Sequence, residues 1–383
     1  MPDNIAYFDN AATTYPKPEC VYQAMDSFNR NCGVSLGRGQ HKLSSKASYT
    51  ADETRQLLLQ LFHCSNKEVA FTNTATEALN VLLNGIDIPS GANVYISPFE
   101  HNAVTRTLHH LQNIRAFNII QLSVSQEDFT YDLNGISSQF DKYKPYCVII
   151  SHASNVIGAI APIEDIFSLA KKYGAITIAD MCQTAGLIDT DISSNIYDYI
   201  VFAGHKTLYG PLGISGFIGR NLSVLPPIIY GGTGIESANQ DMPMTSPERF
   251  EAGSHNTAAI AGLNASLKWI LETGVKNIRE REHENYIKLC SVLDEFDNIS
   301  YFKPKNSIGV VSCLFEGYSS DEIGQVLSEH NIAFRSGLHC APYAHKFIGT
   351  FPAGTVRLSV SCFNTENDFE MISEVLQYIS DNS

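Results

Sequence analysis

Short apolar runs alternate along the chain with longer stretches in which apolar residues recur at helical spacing. Runs that are apolar on both faces are typical of strands in a parallel sheet covered by helices on both sides. The strands predicted in this way cover residues 69–72, 93–97, 117–122, 146–151, 175–180, 199–202 and 214–218. The last is surrounded by glycines and is expected to run antiparallel. The alternation predicts an α/β fold.

The helical stretches separate these strands and continue beyond them. The predicted helices cover residues 19–29, 44–62, 162–173, 257–268 and 275–296, and a further helix begins after Thr76. A second region adds strands at 308–315 and 333–335 and helices at 321–329 and 366–378. We therefore predict a large domain over residues 16–256 and a smaller α+β domain over residues 257–383.

Composition narrows the classes of function. The chain has 383 residues and a formal net charge of −14. No basic stripe is present, so we expect neither nucleic acid nor an anionic membrane as a partner. The first residues lack the basic and apolar segments of a signal peptide. Nine cysteines without Cys-x-x-Cys spacing argue against disulfides and zinc, and we expect no metal and a cytoplasmic location.

Two charged residues stand at the ends of apolar strands. Lys206 follows the run at 199–202, and a desolvated lysine supplies the neutral amine that a Schiff base needs. The alternative is an ordinary surface lysine in a loop. Asp180 ends the run at 175–180, where a carboxylate is costly without a cation. A protonated pyridine nitrogen is one such cation, and a helix N-cap is the plainer interpretation.

Two other strand ends carry polar residues. Thr74 to Glu77 begin a helix whose free N–H groups favour a phosphate, although the same residues form an ordinary capping arrangement. His101 follows the strand at 93–97 and is suited to stack on a planar ring or to exchange protons. A hydrogen-bonded loop histidine is equally compatible with the sequence.

The second region holds a candidate nucleophile. Cys340 lies between glycine and proline beside His339, and an imidazolium there would lower the pKa of the thiol. Arg357 lies in an alternating strand and suits bidentate binding of a carboxylate. The alternatives are a buried structural cysteine and an edge-strand arginine. Near the N-terminus, Asn10 to Ala12 form either a terminal arm or a wall of small residues in a tight pocket.

Two motifs carry a family resemblance: Ala203-Gly-His-Lys-Thr-Leu-Tyr-Gly-Pro and Arg335-Ser-Gly-Leu-His-Cys-Ala. With the N-terminal Phe8-Asp-Asn-Ala-Ala-Thr-Thr they resemble pyridoxal-phosphate enzymes of the class V aminotransferase type, in particular the second group of cysteine desulfurases and selenocysteine lyases. The resemblance covers nearly the whole chain. It implies the type I transferase fold, with a mostly parallel seven-stranded sheet, a smaller α+β C-terminal domain and residues 1–15 packed near the active site.

The resemblance also implies roles for individual residues. Lys206 would carry pyridoxal 5′-phosphate and move the Cα proton, and Cys340 would take up the sulfur as a persulfide. The residues implied around the cofactor are Ala75, Thr76, His101, Asn155, Asp180, Gln183, His205 and, from the partner subunit of a homodimer, Ser254. The residues implied around the substrate are Ala12, Asn155, Arg335 and Arg357.

Two positions depart from the family pattern. Ala203 stands where relatives often have a phosphate-binding serine, and Leu338 stands where they often have a second histidine. The predicted function is conversion of L-cysteine to L-alanine, with sulfur passed from Cys340 to an acceptor protein. The alternatives are a selenocysteine lyase acting on L-selenocysteine, a class V aminotransferase or lyase in which Cys340 is incidental, and a degenerate protein acting as a scaffold.

Overall fold

The structure is a computed structural model that describes residues 5–37, 39 and 41–382. Its strands are β1 Ala6–Tyr7, β2 Glu68–Thr72, β3 Asn93–Ile96, β4 Asn118–Gln121, β5 Pro145–Ser151, β6 Ile176–Asp180, β7 Tyr199–Ala203, β8 Ser215–Gly219, β9 Ile299–Tyr301, β10 Val310–Phe315, β11 Ile332–Ala333, β12 Arg335–Gly337 and β13 Thr355–Ser359. Its α-helices are α1 Glu19–Asn31, α2 Lys42–Leu61, α3 Ala75–Gly85, α4 Asn102–Arg115, α5 Leu133–Lys142, α6 Ile163–Lys171, α7 Thr257–Thr273, α8 Val275–Leu293, α9 Ser320–Glu329, α10 Pro342–Phe347 and α11 Glu366–Asp381.

The first eight strands, apart from β1, form a seven-stranded sheet in the order β2-β8-β7-β6-β5-β3-β4. The pairs from β7 through β6, β5 and β3 to β4 are parallel, and β8 is antiparallel to both its neighbours. The predicted α/β architecture, with a mostly parallel sheet and an antiparallel strand near residues 214–218, is confirmed.

Side chains of this sheet alternate between two hydrophobic cores. Val148, Ile150 and Phe202 belong to the core on one face. Ile149 and Val201 belong to the core on the other face. Because both faces are covered, the strands are apolar at every position, which is the pattern that predicted them.

The smaller part of the fold contains a four-stranded antiparallel sheet in the order β12-β13-β10-β9. β1 pairs in parallel with β11, so the N-terminal segment joins this part of the fold. The strand predicted at residues 333–335 is divided between β11 and β12, which belong to different sheets. Helix α7 contacts α1 and α2. The domain boundary between residues 256 and 257 stays a prediction.

In the part of the chain that the structure describes, we find no helix long and apolar enough to cross a membrane.

Candidate active site

A cavity of about 450 Å³ opens at the carboxyl ends of the parallel strands, where the smaller sheet meets the larger one. This edge is the usual ligand-binding position in open α/β sheets. The cavity brings together almost all the residues singled out in the sequence. Those that line it are Ala12, Ala75, Thr76, His101, Asn155, Asp180, Gln183, His205, Lys206, Arg335, Cys340 and Arg357.

Asp180 and Lys206 reach this cavity from adjacent parallel strands. Asp180 is the last residue of β6 and is buried, and one of its carboxylate oxygens accepts a hydrogen bond from Cys182 N at 3.0 Å. Lys206 lies in the turn after β7 and is half-buried. The carboxylate is therefore held against backbone at the cavity wall, with an amine on the same wall.

The N-terminal segment fixes the turn that carries Lys206. Thr14 Oγ1 donates to the carbonyl of Lys206 at 2.8 Å, and Thr13 Oγ1 donates to the carbonyl of His205 at 3.0 Å. Lys17 Nζ donates to the same His205 carbonyl at 2.6 Å. Burial lowers the pKa of Lys17 to about 7. The Thr13, Thr14 and Lys17 contacts were not predicted, because they act on backbone atoms distant in sequence.

The start of α3 both caps the helix and lines the cavity. Thr74 is the N-cap, and its hydroxyl accepts from Glu77 N at 3.1 Å. Ala75 and Thr76 line the cavity, and Thr74 lines it as well. The remaining N–H groups of this first turn and the helix dipole favour an anion there.

His205 lies in the same cavity wall and is neutral. Burial, and then the positive charges of Lys206 and Lys17, lower its pKa to about 3. Its Nδ1 is buried and has no hydrogen-bond partner among the described residues. A buried ring nitrogen of this kind suits a hydrogen bond to a bound group.

His101 both caps a helix and lines the cavity. Its Nδ1 accepts from Ala103 N at 3.0 Å at the start of α4. Nδ1 therefore carries a lone pair, which leaves the proton of the neutral ring on Nε2. Burial, with Lys206 adding to it, lowers the pKa of His101 to about 4. The histidine is thus fixed in one tautomer and stays neutral near pH 7.

Cys340 is the exposed cysteine among the nine, all of which lie in the described part of the chain. Burial raises the pKa of several others, and it raises those of Cys64 and Cys362 to about 11. The backbone at His339 and Cys340 is left-handed, with φ of 47° and 57°. Such values are uncommon for residues other than glycine and mark a loop held by its surroundings.

His339 does not have the charge that the sequence suggested. Burial, together with nearby Arg357, lowers its pKa to about 2, so the ring is neutral near pH 7. The predicted imidazolium beside Cys340 is therefore wrong. The positive charges that line the cavity with Cys340 are on Lys206, Arg335 and Arg357 instead.

A chain of hydrogen bonds sets the tautomer of His339. Ser312 Oγ donates to the carbonyl of Val156 at 2.7 Å, and Thr355 Oγ1 donates to Ser312 Oγ at 2.9 Å. His339 Nε2 lies 2.9 Å from Thr355 Oγ1 and must donate to it. Nδ1 of His339 therefore carries the lone pair, and it is buried without a partner among the described residues.

Arg357 is buried in the middle of β13, with 2% of its side chain exposed. One of its terminal nitrogens donates to the carbonyl of Asn155 at 2.9 Å, and the other donates to Asp9 Oδ1 at 2.7 Å. Arg335 also donates to Asp9, at 3.1 Å. A desolvated guanidinium at a cavity wall suits a carboxylate ligand.

The amides of Asn155 and Gln183 are both engaged with backbone. Asn155 Nδ2 donates to the carbonyl of His339 at 2.7 Å, and Gln183 Nε2 donates to the carbonyl of Ala11 at 2.9 Å. Each therefore ties the large sheet to a segment from elsewhere in the fold: the Cys340 loop or the N-terminal segment.

Ser254 is the predicted residue that does not join this cavity. It is exposed beside a second cavity of about 180 Å³, whose lining includes Arg55, Glu251 and His255. Its expected role was in the site of a partner subunit, and that role stays a prediction.

Asp9 is the charged residue that the sequence analysis missed. It follows Phe8 just beyond the short strand β1, whereas Asp180 is the last residue of the longer strand β6. A second residue near the site, His345, is fully buried with its ring centre 5.3 Å from that of His339. Its proximity depends on the fold of α10 and has no local sequence signal.

The cavity fits pyridoxal phosphate. A buried carboxylate, a half-buried lysine and a helix N-terminus lie around one space. Nδ1 of His205, which has no partner in the described part of the chain, is available to a bound group. These are the donor and acceptor types that a pyridinium ring, an aldehyde and a phosphate require. Ala203 and Leu338 follow the predicted departures: Ala203 lines the cavity without a hydroxyl, and Leu338 is half-buried.

Comparison with known proteins identifies the same family that the sequence motifs resemble. The family model described as Aminotransferase class-V matches residues 6–372. A probable cysteine desulfurase of Pyrococcus abyssi is 30% identical over 98% of this chain and 94% of its own. A cysteine desulfurase of Shigella sonnei is 30% identical over 98% of this chain and 93% of its own.

A solved structure extends the comparison to the fold. The apo structure of cysteine desulfurase from Thermococcus onnurineus NA1 has a TM-score of 0.90 and 27% identity, and the match covers 99% of this chain and 95% of that one. The type I fold that the sequence predicted is thereby confirmed. The chain belongs to the class V aminotransferase family and groups with its cysteine desulfurase members.

Proposed function

We propose that the protein is a pyridoxal-phosphate-dependent cysteine desulfurase that converts L-cysteine to L-alanine and receives the sulfur on Cys340. The observation that carries the proposal is the exposed Cys340 thiol on the wall of the cavity that also holds Lys206 and Arg357. The names of the relatives favour L-cysteine over L-selenocysteine as the substrate.

Cofactor binding would use the groups on the large sheet. Asp180 would pair with the ring nitrogen, Lys206 would bond the aldehyde carbon, and the start of α3 with Ala75, Thr76 and His205 would hold the phosphate. His101 would lie against the ring, with Asn155 and Gln183 near its hydroxyl. When bound, pyridoxal phosphate supplies an electron sink for the charge that develops at Cα.

Substrate binding would use the groups on the smaller sheet. Arg357 would bind the α-carboxylate, with Arg335, Asn155 and Ala12 beside it. The Lys206 amine would take the proton from Cα. In this arrangement the substrate side chain would lie toward Cys340.

The transfer step would then be nucleophilic. The Cys340 thiolate attacks the sulfur of the substrate, an S–S bond forms, and the Cβ–S bond of the substrate breaks. The electron pair of that bond stays with Cβ, which takes a proton, so the amino acid product is alanine. Cys340 is left as a persulfide, whose outer sulfur passes to an acceptor protein or is released as sulfide by an added thiol.

Three features of the proposal lie outside the single chain. We propose a homodimer in which Ser254 of each chain serves the site of the other. A sulfur-acceptor protein and a cytoplasmic location are also proposed. Within the chain, we also propose the domain boundary between residues 256 and 257.

The direct test is an assay of the purified, cofactor-loaded protein with L-cysteine and a reducing thiol. We expect alanine and sulfide in equal amounts, and no amine transfer to an added α-keto acid. Amine transfer without sulfide would support the class V aminotransferase alternative and overturn the proposal.

A further inference from the structure

Two arginines at the cavity are placed directly opposite each other on neighbouring strands. Arg335 of β12 and Arg357 of β13 are cross-strand partners in an antiparallel pair. Like charges in this position are destabilising unless something lies between them. Both guanidinium groups line the cavity, so their combined charge acts on whatever binds there.

Asp9 lies between the two guanidinium groups. Its Oδ1 is 2.7 Å from Arg357, and its Oδ2 is 3.1 Å from Arg335. Only 13% of the Asp9 side chain is exposed, and Asp9 itself does not line the cavity. The carboxylate therefore acts on a ligand through the arginines.

The backbone around Asp9 is fixed by both neighbouring strands. Phe8 N donates to the carbonyl of Ala333 at 2.7 Å, and Ser359 N donates to the carbonyl of Phe8 at 2.7 Å. These bonds fix the backbone position from which the Asp9 side chain reaches both arginines. The side chain of Arg335 is 48% exposed, so it is the mobile member of the group.

The other ionisable groups near these three are neutral or outside the ion pair. Burial, then the charge of Asp9, raises the pKa of Tyr7 to about 12. His339 is neutral for the reason given above. Cys340 also acts on Arg357 but lies outside the ion pair and is the same in wild type and in a variant of Asp9. Within the ion pair there are two positive charges and one negative charge.

We propose that Asp9 is a positioning residue that limits the site to substrates with one carboxylate. The group of Asp9, Arg335 and Arg357 carries a net charge of one positive unit, which one α-carboxylate neutralises. A second carboxylate on the ligand would have to compete with Asp9 for Arg335. This inference rests on the proposed function, because it assigns an amino acid to the cavity.

Replacing Asp9 with asparagine keeps the size of the side chain and removes its charge. The site would then present two positive charges, and a ligand with two carboxylates would gain relative to a ligand with one. The experiment measures the dissociation constants of L-alanine and L-aspartate by calorimetric titration of the cofactor-loaded protein. Because no turnover is needed, absence of desulfurase activity would leave this test interpretable.

We expect Asp9→Asn to raise the ratio of the alanine to the aspartate dissociation constant by about tenfold. Asp9→Glu, which keeps the charge, is expected to remain near the wild-type ratio. Asp26→Asn is the matched control, since it makes the same charge change at an exposed ion pair on α1. Its ratio is expected to equal that of the wild-type protein.

A folded Asp9→Asn protein whose ratio stays within about twofold of the wild-type value would overturn the proposal. An equal rise in the dissociation constants of L-alanine and L-aspartate would also overturn the proposal, because it would indicate a purely structural role for Asp9. If Asp9→Asn fails to fold, Arg335→Gln at the half-exposed position provides the second test. It is expected to shift the ratio in the opposite direction, and an unchanged ratio there also overturns the proposal.

Discussion

The backbone N–H of Asn102 donates a hydrogen bond of 2.6 Å to the backbone carbonyl of Cys340. This bond joins the first residue of α4, directly after His101, to the loop that carries the candidate nucleophile. The adjoining carbonyl, that of His339, is held by Asn155 at 2.7 Å. Asn102 of α4 and Asn155 in the loop after β5 thus hold the left-handed backbone at His339 and Cys340, which follows β12 of the smaller sheet. The geometry of Cys340 is therefore a property of the whole fold.

Replacement of Lys206 with alanine is expected to abolish turnover of L-cysteine. The amine is the only group proposed to bond the cofactor aldehyde and to move the Cα proton. The measurement is alanine release, together with borohydride reduction followed by mass spectrometry of the peptide. Lys276→Ala is the comparison variant, since Lys276 is an exposed lysine of α8 and does not line the cavity. Reductive attachment of the cofactor in Lys206→Ala at the wild-type yield would contradict this role.

Asp180→Asn tests the buried carboxylate at the end of β6. The amide keeps the acceptor for Cys182 N but loses the negative charge that would stabilise a protonated ring nitrogen. We expect a loss of turnover of about 100-fold or more, an effect of the size seen for electrostatic groups in active sites. Steady-state rates of the cofactor-loaded variant provide the measurement. Asp189→Asn, an exposed aspartate paired with His63, is the control. A rate within a few-fold of wild type in Asp180→Asn would remove the basis for this pairing.

Thr355→Val tests the hydrogen-bond chain behind Cys340. The substitution leaves His339 Nε2 without its acceptor and Ser312 without its donor partner. We expect a loss of about 1–3 kcal/mol in the free energy of unfolding, since a buried donor is left unsatisfied. Urea unfolding measures the loss. Thr107→Val is the control, because among the described residues this buried hydroxyl bonds only the carbonyl of Ala103 within its own helix. Equal stability losses in both variants would argue against a special role for the chain.

Thr355→Val is also expected to slow sulfur transfer more strongly than it weakens cofactor binding. Nδ1 of His339 keeps its lone pair only while Nε2 has an acceptor, and Thr355 is that acceptor. Rates of sulfide release, compared with cofactor affinity, separate the two effects. Parallel changes in both would place the effect of Thr355 on the fold as a whole.

The pH dependence of stability follows from buried histidines. Burial lowers the pKa of five of them to about 4 or below, so the unfolded chain binds more protons than the folded chain as pH falls below about 6.5. These residues are His101, His152, His205, His339 and His345. Their contribution to stability is present above about pH 6.5 and is lost as pH falls toward their folded values.

Two buried glutamates act in the opposite direction. Burial raises the pKa of Glu100 and Glu282 to about 7, which favours the folded chain at low pH. Because the histidines outnumber them, we expect the free energy of unfolding to rise between about pH 5 and pH 6.5. Urea midpoints at these two pH values test the sign. A higher midpoint at the lower pH would contradict the neutral state assigned to the histidines.

Much of the site could be predicted because its residues follow apolar strands. Asp180 and Lys206 each end a run that is apolar on both faces, and parallel strands bring such ends to one edge. Asp9 lies just beyond β1, but that strand has 2 residues, too few to form a recognisable apolar run. The charge state of His339 could not be predicted, because its burial arises from the packing of β13 and α10 around the loop.

Contacts between distant segments also had no local signal. Thr14 meets the carbonyl of Lys206 across 192 residues, and Asn155 meets that of His339 across 184. These bonds depend on how the N-terminal segment and the smaller sheet fold onto the larger one. The sequence shows which residue types are present, but it does not show which distant backbone carbonyl each side chain will contact.

The most direct test of the account is the fate of the substrate sulfur in Cys340→Ser. The cofactor-loaded variant and wild type would be mixed with L-cysteine, and the peptides analysed by mass spectrometry while alanine release is measured. We predict that wild-type Cys340 gains one sulfur atom. We expect the variant to keep the cofactor and to lose at least about 100-fold in alanine release, as expected when a covalent nucleophile is removed. Cys20→Ser should behave as wild type. Alanine release at the wild-type rate by Cys340→Ser would contradict the central claim.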